Sequence, residues 1–155
     1  MAHSLRHEIK QNKQFRSRYE EAVLNIARTS NILSNSMEKV FRPHGITATQ
    51  YNVLRILRGS EPDGLCRNEI RDRMLNRMPD VTRLLDRMEE AGLINRVRDS
   101  DDRRLVTTRV TKTGRKLVDG LDEEVENENR RRLGHLTEHQ LKTLIGLLTE
   151  VRFPE

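Results

Sequence analysis

Apolar residues recur with a helical period over most of this chain, and polar breaks divide the pattern into segments. Leu24, Ala27, Ile32, Leu33, Met37, Val40 and Phe41 mark one face of a long helix starting near Gln14, which Pro43 and Gly45 end. The stretch before it, Met1–Asn12, is polar and expected to fray. Thr47 suits an N-cap, with Gln50 at capping-box spacing, for a second helix over Ala48–Arg58 that buries Tyr51, Leu54 and Leu57. Gly59–Gly64 is a turn cluster, and Cys66–Met74 reads as a short third helix with Ile70 and Met74 inward. After a turn at Leu75–Met78, Val81, Leu84, Leu85 and Met88 form the stripe of a fourth helix. Pro79 fits its first turn, Asn76 is a candidate cap, and Gly92 stops it.

Two short strands, Leu93–Arg98 and Leu105–Val110, then flank a charged tip, Asp99–Arg104. A helix followed at once by a charged hairpin is the layout of a winged helix, in which the helix enters a DNA major groove and the hairpin tip reaches the adjacent minor groove. Thr111 or Thr113 opens a long helix to about Leu133, with Leu117, Val118, Leu121 and Val125 as its early stripe. Its middle, Asp122–Arg132, is almost wholly polar, so it either bridges solvent or makes side-chain pairs. Gly134 breaks it. Thr137 and Gln140 form the start of a last helix, whose Leu141, Leu144, Ile145, Leu147, Leu148 and Val151 cover more than one narrow face. That excess points to a seam between subunits, shared with the first long helix. The expected fold is mainly α with a small β-wing: a winged helix-turn-helix lobe over about 45–111, with dimerisation helices over about 14–42 and 112–152, in one domain.

Thr82–Gly92 (TRLLDRMEEAG), the tip Arg98–Arg104 (RDSDDRR) and Val110–Gly114 (VTKTG) together resemble the signature of the MarR family of bacterial transcription regulators. Order and spacing match, and Val110 stands where the family usually has Leu. The resemblance covers about residues 15–150. It implies a homodimer joined through its two chain ends on a pseudo-palindromic operator. It also implies repression relieved by a small, often aromatic or phenolic ligand held between the DNA-binding lobe and the dimer helices.

Charge sharpens this picture. The chain of 155 residues carries a net charge of +5, unevenly spread: residues 1–60 are net +6, residues 65–115 net +4 and residues 116–155 net −3. A basic front and middle suit a polyphosphate partner through counterion release. Hydrophobic residues make up only 34% of the chain, so one copy buries a modest core and a dimer would complete it. The single cysteine, Cys66, excludes an internal disulfide and fits a reducing compartment. The N-terminus has no apolar signal segment and no apolar run is long enough to span a bilayer, so a cytoplasmic protein is expected.

Among candidate contacts, Arg83 and Arg87 lie one turn apart on the exposed face of the fourth helix, suited to bidentate bonds to guanine or phosphate. Surface pairs with Asp86 and Glu90 are the competing role for them. Asp80 and Thr82 are placed to touch base edges, and Arg67 and Arg77 to hold the backbone. In the tip, Asp102 and Arg104 share one side of an extended strand, so the carboxylate can fix the arginine in one rotamer for a narrow groove. In the family the arginine of this D-x-R pair is the usual minor-groove contact. Arg103 is placed for phosphate, and Arg98 is a similar candidate. Met37, Phe41, His44 and Tyr51 lie near the expected ligand crevice, and each also suits a plain core or turn role.

Cys66 at a helix start beside Arg67 raises an oxidation sensor as a second reading against a plain small residue, yet peroxide-sensing members carry their cysteine on the first helix. His135 and His139 straddle a helix break and lack companion ligands, so no metal site or cofactor is expected. No nucleophile–base pair or phosphate loop marks an enzyme. The composite reading is a sequence-specific transcriptional regulator. A non-specific architectural DNA-binding protein and a winged-helix module for an acidic protein partner stay open beside it.

Overall fold

A computed structural model describes residues 4–76, 80–98 and 106–153. Among them the helices are α1 (Leu5–Glu8), α2 (Arg18–Phe41), α3 (Ala48–Arg58), α4 (Arg67–Arg73), α5 (Val81–Glu90), α6 (Lys112–Leu133) and α7 (Glu138–Arg152). The strands are β1 (Leu65–Cys66), β2 (Ile94–Arg98) and β3 (Val106–Val110), and a 3₁₀ turn, Arg42–His44, follows α2. The sheet is antiparallel in the order β1-β3-β2, with Ile94 opposite Val110 and Arg98 opposite Val106. β1 pairs Leu65 with Thr108 and Cys66 with Thr107.

The capping chemistry sets the helix starts. Thr47 and Gln50 form the expected reciprocal box at α3, as do Thr137 and Gln140 at α7. Thr111 caps α6 by accepting from the Gly114 amide at 3.0 Å. Three starts differ from expectation, the first being α2, which begins at Arg18 with Ser17 as its cap and not near Gln14. The N-terminal segment is not simply frayed: Ser4 caps a single turn, Leu5 is buried, and Glu8 accepts from Arg28 of α2 at 2.7 Å. Asp80, and not Asn76, caps α5, its carboxylate accepting from the Arg83 amide at 3.0 Å. The helix therefore starts at Val81, after Pro79, which lies outside the described residues.

The core sits in the lobe formed by α3, α4, α5, the sheet and the first half of α6. Val53, Leu54, Ile70, Leu85, Met88, Val118 and Leu121 are almost wholly buried there. Phe41 stacks on Tyr51 with ring centroids 4.5 Å apart, which locks the end of α2 to α3. α7 has no buried residue; Ile145, Leu147, Val151 and Phe153 are exposed, as are Tyr19 and Val23 on α2.

The polar middle of α6 resolves in favour of pairing. Arg58 of α3 donates to Asp119 at 2.9 Å and to both oxygens of Asp122 at 2.8 and 3.0 Å. His44 Nε2 meets Glu124 at 3.1 Å. Glu128 is only 8% exposed and accepts from Arg131 at 2.7 Å, from Arg132 at 3.0 Å and from the buried Ser36 hydroxyl of α2. These carboxylates hold α6 against α2 and α3.

Their pairing has a pH signature. The Arg131 guanidinium, aided by Arg132, keeps the Glu128 carboxyl below its ordinary value despite burial, and Arg58 does the same for Asp119. A depressed carboxylate stabilises the fold fully above its unfolded value and loses that contribution as pH falls through its folded one. The melting temperature should therefore drop as pH falls below about 4.5, and Glu128→Gln should flatten the drop. Melting curves from pH 7 to 3 check this; parallel curves for the two proteins would refute it.

Candidate nucleic-acid interface

α5 is built to show one face. Val81, Leu85 and Met88 are buried against the core, while Thr82, Arg83, Arg87 and Glu90 are exposed. Leu84 is partly buried. The helix ends where the chain needs a left-handed residue: Gly92 has φ 71°, the Leu93 amide donates to Met88 O at 3.0 Å, and the Gly92 amide to Glu89 O at 2.9 Å. This compact stop turns the chain directly into β2.

Among the described residues the pairs of Arg83 with Asp86 and of Arg87 with Glu90 are not formed. Arg83 is 72% exposed and lies 3.6 Å from Asp80 Oδ2, at the helix start. Arg87 has no ion pair among the described residues. Asp86 turns to Arg96 of β2, at 2.6 Å. Asp80 is spent on the cap, which gives it a local role beside any base contact. Arg67, at the first position of α4, donates to the Thr82 hydroxyl at 3.2 Å and brings the starts of the two helices together. Arg98 is exposed at the outer end of β2, where the tip begins. Arg77, Asp102, Arg103 and Arg104 lie outside the described residues.

Arg96 is the interface residue that the periodic pattern did not single out. Its Nε and Nη2 donate to Glu89 Oε2 at 2.9 and 2.6 Å, and its amide donates to Glu89 Oε1 at 2.8 Å. Glu89 is held below the usual carboxylate range, chiefly by the Arg96 guanidinium. A signal was present: Arg96 is two residues from buried Ile94, hence on the same sheet face, and Asp86 and Glu89 are one turn apart on the preceding helix.

Cys66 is half-buried at the N-cap of α4, and its amide donates to Glu69 at 2.8 Å. The nearby Arg67 is engaged with the Thr82 hydroxyl, and the charged group bonded to the Cys66 backbone is the Glu69 carboxylate.

A cavity of about 410 Å³ opens between α2, α3 and α6. Met37, Phe41 and Tyr51 line it, as expected; His44 does not and instead meets Glu124. Arg55 and Arg132 also line it and were not anticipated, because each reads from sequence as one more surface charge.

Comparison with known proteins agrees with this geometry. Residues 46–106 match the family model described as MarR family. The transcriptional regulator PecS of Dickeya dadantii is 30% identical over 128 residues, covering 81% of this chain and 76% of PecS. The solved MarR transcription factor from Planctomyces limnophilus is 38% identical, with TM-score 0.68 over 88% of this chain and 98% of that one. The MepR–DNA complex of S. aureus is 25% identical, with TM-score 0.76 over 89% and 97%. An exposed, arginine-bearing α5 capped onto a β-hairpin and these likenesses lead to one conclusion: the chain belongs to the MarR family of winged helix-turn-helix transcriptional regulators.

Proposed function

We propose that the protein is a homodimeric, cytoplasmic, non-enzymatic repressor that binds a pseudo-palindromic operator and is released by a small molecule. The observation that carries the DNA reading is α5, whose apolar stripe is buried while Arg83, paired only loosely with Asp80, and Arg87 are exposed on its opposite face. The DNA-contacting set comprises Arg83, Arg87 and Thr82 on α5, with Arg67 and Arg77 holding the DNA backbone. Arg98, Asp102, Arg103 and Arg104 serve in the wing, and Asp80 orients the start of α5. The apolar residues left exposed on α2 and α7 form the dimer seam, so that residues about 14–42 and 112–152 set the spacing of two lobes over about 45–111. Two-fold symmetry then places the two α5 helices in successive major grooves, about 34–36 Å apart.

The effector site is the cavity that Met37, Phe41 and Tyr51 line. Its apolar wall suits an aromatic body, and the Arg55 guanidinium suits an acid on it, whereas Arg132 is paired with Glu128. α3 belongs to the reading lobe and α2 to the dimer seam, so a ligand wedged between them changes the spacing of the two α5 helices.

Selection from a randomised DNA pool, with competitor DNA at physiological salt, tests the reading. One inverted repeat with half-sites about one turn apart is expected. Aromatic acids screened on that site should release the protein where the matching amides do not. Retention without enrichment would instead favour a non-specific architectural protein, and no retention at low salt would favour a protein partner.

A further inference from the structure

β2 crosses from the core to solvent within five residues. Ile94 is buried, whereas Val97 is 49% exposed and Arg98 is exposed too. β3 is held to the lobe by its pairing with β1, but the outer half of β2 carries no buried apolar residue, so the tie between β2 and α5 there is polar. Arg96 is the last β2 residue anchored to α5. Its guanidinium, 24% exposed, is shared between Asp86 Oδ1 at 2.6 Å and Glu89 Oε2 at 2.6 and 2.9 Å. A planar fork gripped by two carboxylates one helical turn apart fixes direction as well as distance.

We propose that Arg96 is a positioning residue that sets the wing against the recognition helix, so that α5 and the hairpin tip meet the same stretch of duplex. The proposal rests on the DNA-binding reading of α5 and the wing. Arg96 need not touch DNA: its donors are already directed at α5. It also accounts for two acids on a helix that faces a polyanion. Asp86 and Glu89 would repel phosphate if unpaired; paired with Arg96 they become the socket for the wing.

The test separates positioning from simple charge. Removing both acids (Asp86→Asn with Glu89→Gln) raises the positive charge of the DNA face, so charge alone predicts tighter binding to every sequence. The proposal predicts the opposite sign for the operator: affinity about tenfold weaker, as for one lost base contact, with binding to scrambled DNA equal or tighter. Arg96→Ala should weaken operator binding to a similar extent. Its slope of log affinity against log salt should stay unchanged, since the slope falls by about 0.9 for each lost phosphate contact. Arg96→Lys, which keeps the charge and loses the fork, should recover part of the affinity. Operator binding by the acid-free pair equal to or tighter than wild type would overturn the proposal, as would a shallower salt slope for Arg96→Ala. Should Arg96→Ala not fold, the acid-free pair and Arg96→Lys decide. A wild-type protein that selects no operator would overturn the parent reading and this one together, whereas a failure of the proposal alone shows only in variants of a wild type that binds.

Discussion

Replacing Arg83 and Arg87 together by alanine is expected to weaken operator binding by about a thousandfold while the protein stays folded. A well-formed arginine–base contact discriminates by about 1–3 kcal/mol, and a dimer presents four such side chains. Even at the low end this amounts to about 4 kcal/mol, enough to bring specific binding down to the non-specific level. The fold has little at stake. Arg83 is 72% exposed and pairs with Asp80 at 3.6 Å, and Arg87 has no ion pair among the described residues. Exposed pairs of that kind contribute about 1 kcal/mol or less. Anisotropy titrations of the selected operator and a scrambled duplex, beside thermal melts, give the answer. A double variant that still binds the operator within fivefold of wild type would remove α5 from the reading role.

What could be read in advance divides along a physical line. Signals carried by neighbouring residues were legible: the Thr47–Gln50 and Thr137–Gln140 boxes, the start of α6 at Thr111 or Thr113, the Gly92 stop and the two wing strands all depend on contacts within a few positions. The Asp80 cap was missed although it is local, because Asn76 competes for the role and Pro79 confuses the first turn. β1 was missed for the opposite reason. Leu65 and Cys66 are extended because they pair with Thr108 and Thr107, about forty positions away, and two residues carry no periodicity of their own. The same non-locality hid the partners in the polar stretch of α6. That Arg58 reaches Asp119 and Asp122, and that Ser36 meets Glu128, follows from how three helices pack and from no pattern within any one of them.

The candidate site follows the same division. The exposed face of α5 was visible because an amphipathic stripe defines its own reverse side. The chemistry that joins elements was not: Arg67 to Thr82, and Arg55 with Arg132 at one cavity, become visible once α4 and α6 are placed. In a chain that is 34% charged, an arginine is an uninformative letter until its surroundings are known. The apolar trio Met37, Phe41 and Tyr51 was easier, because the end of α2 and the start of α3 are joined by one short turn.

Gly114→Ala is expected to lower stability by about 2–4 kcal/mol, although alanine is the better helix former. Gly114 is the third residue of α6 and its helical conformation suits any side chain. The obstacle is space. A Cβ there would overlap the Leu93 carbonyl oxygen and press on the Val110 side chain at 3.0 Å. Leu93 O is backbone and already accepts from the Thr111 amide at 3.1 Å, so it has no freedom to yield. Thr111 also donates its hydroxyl to Gly92 O at 2.7 Å and accepts from the Gly114 amide. The end of the recognition helix, the exit of β3 and the start of α6 thus meet at one point where only a hydrogen fits. Prying α6 away costs the overpacking strain, typically about 1–3 kcal/mol, and weakens the Thr111 cap, worth about 1 kcal/mol. For a chain of this size the melting temperature should fall by roughly 10 °C at fixed protein concentration. Gly120, further along the same helix, has nothing near its Cβ direction, so Gly120→Ala should gain about 0.5–1 kcal/mol. Opposite signs from one substitution within one helix isolate the steric cause, and a Gly114→Ala protein that melts with or above the wild type would show that α6 and Leu93 do not approach this closely.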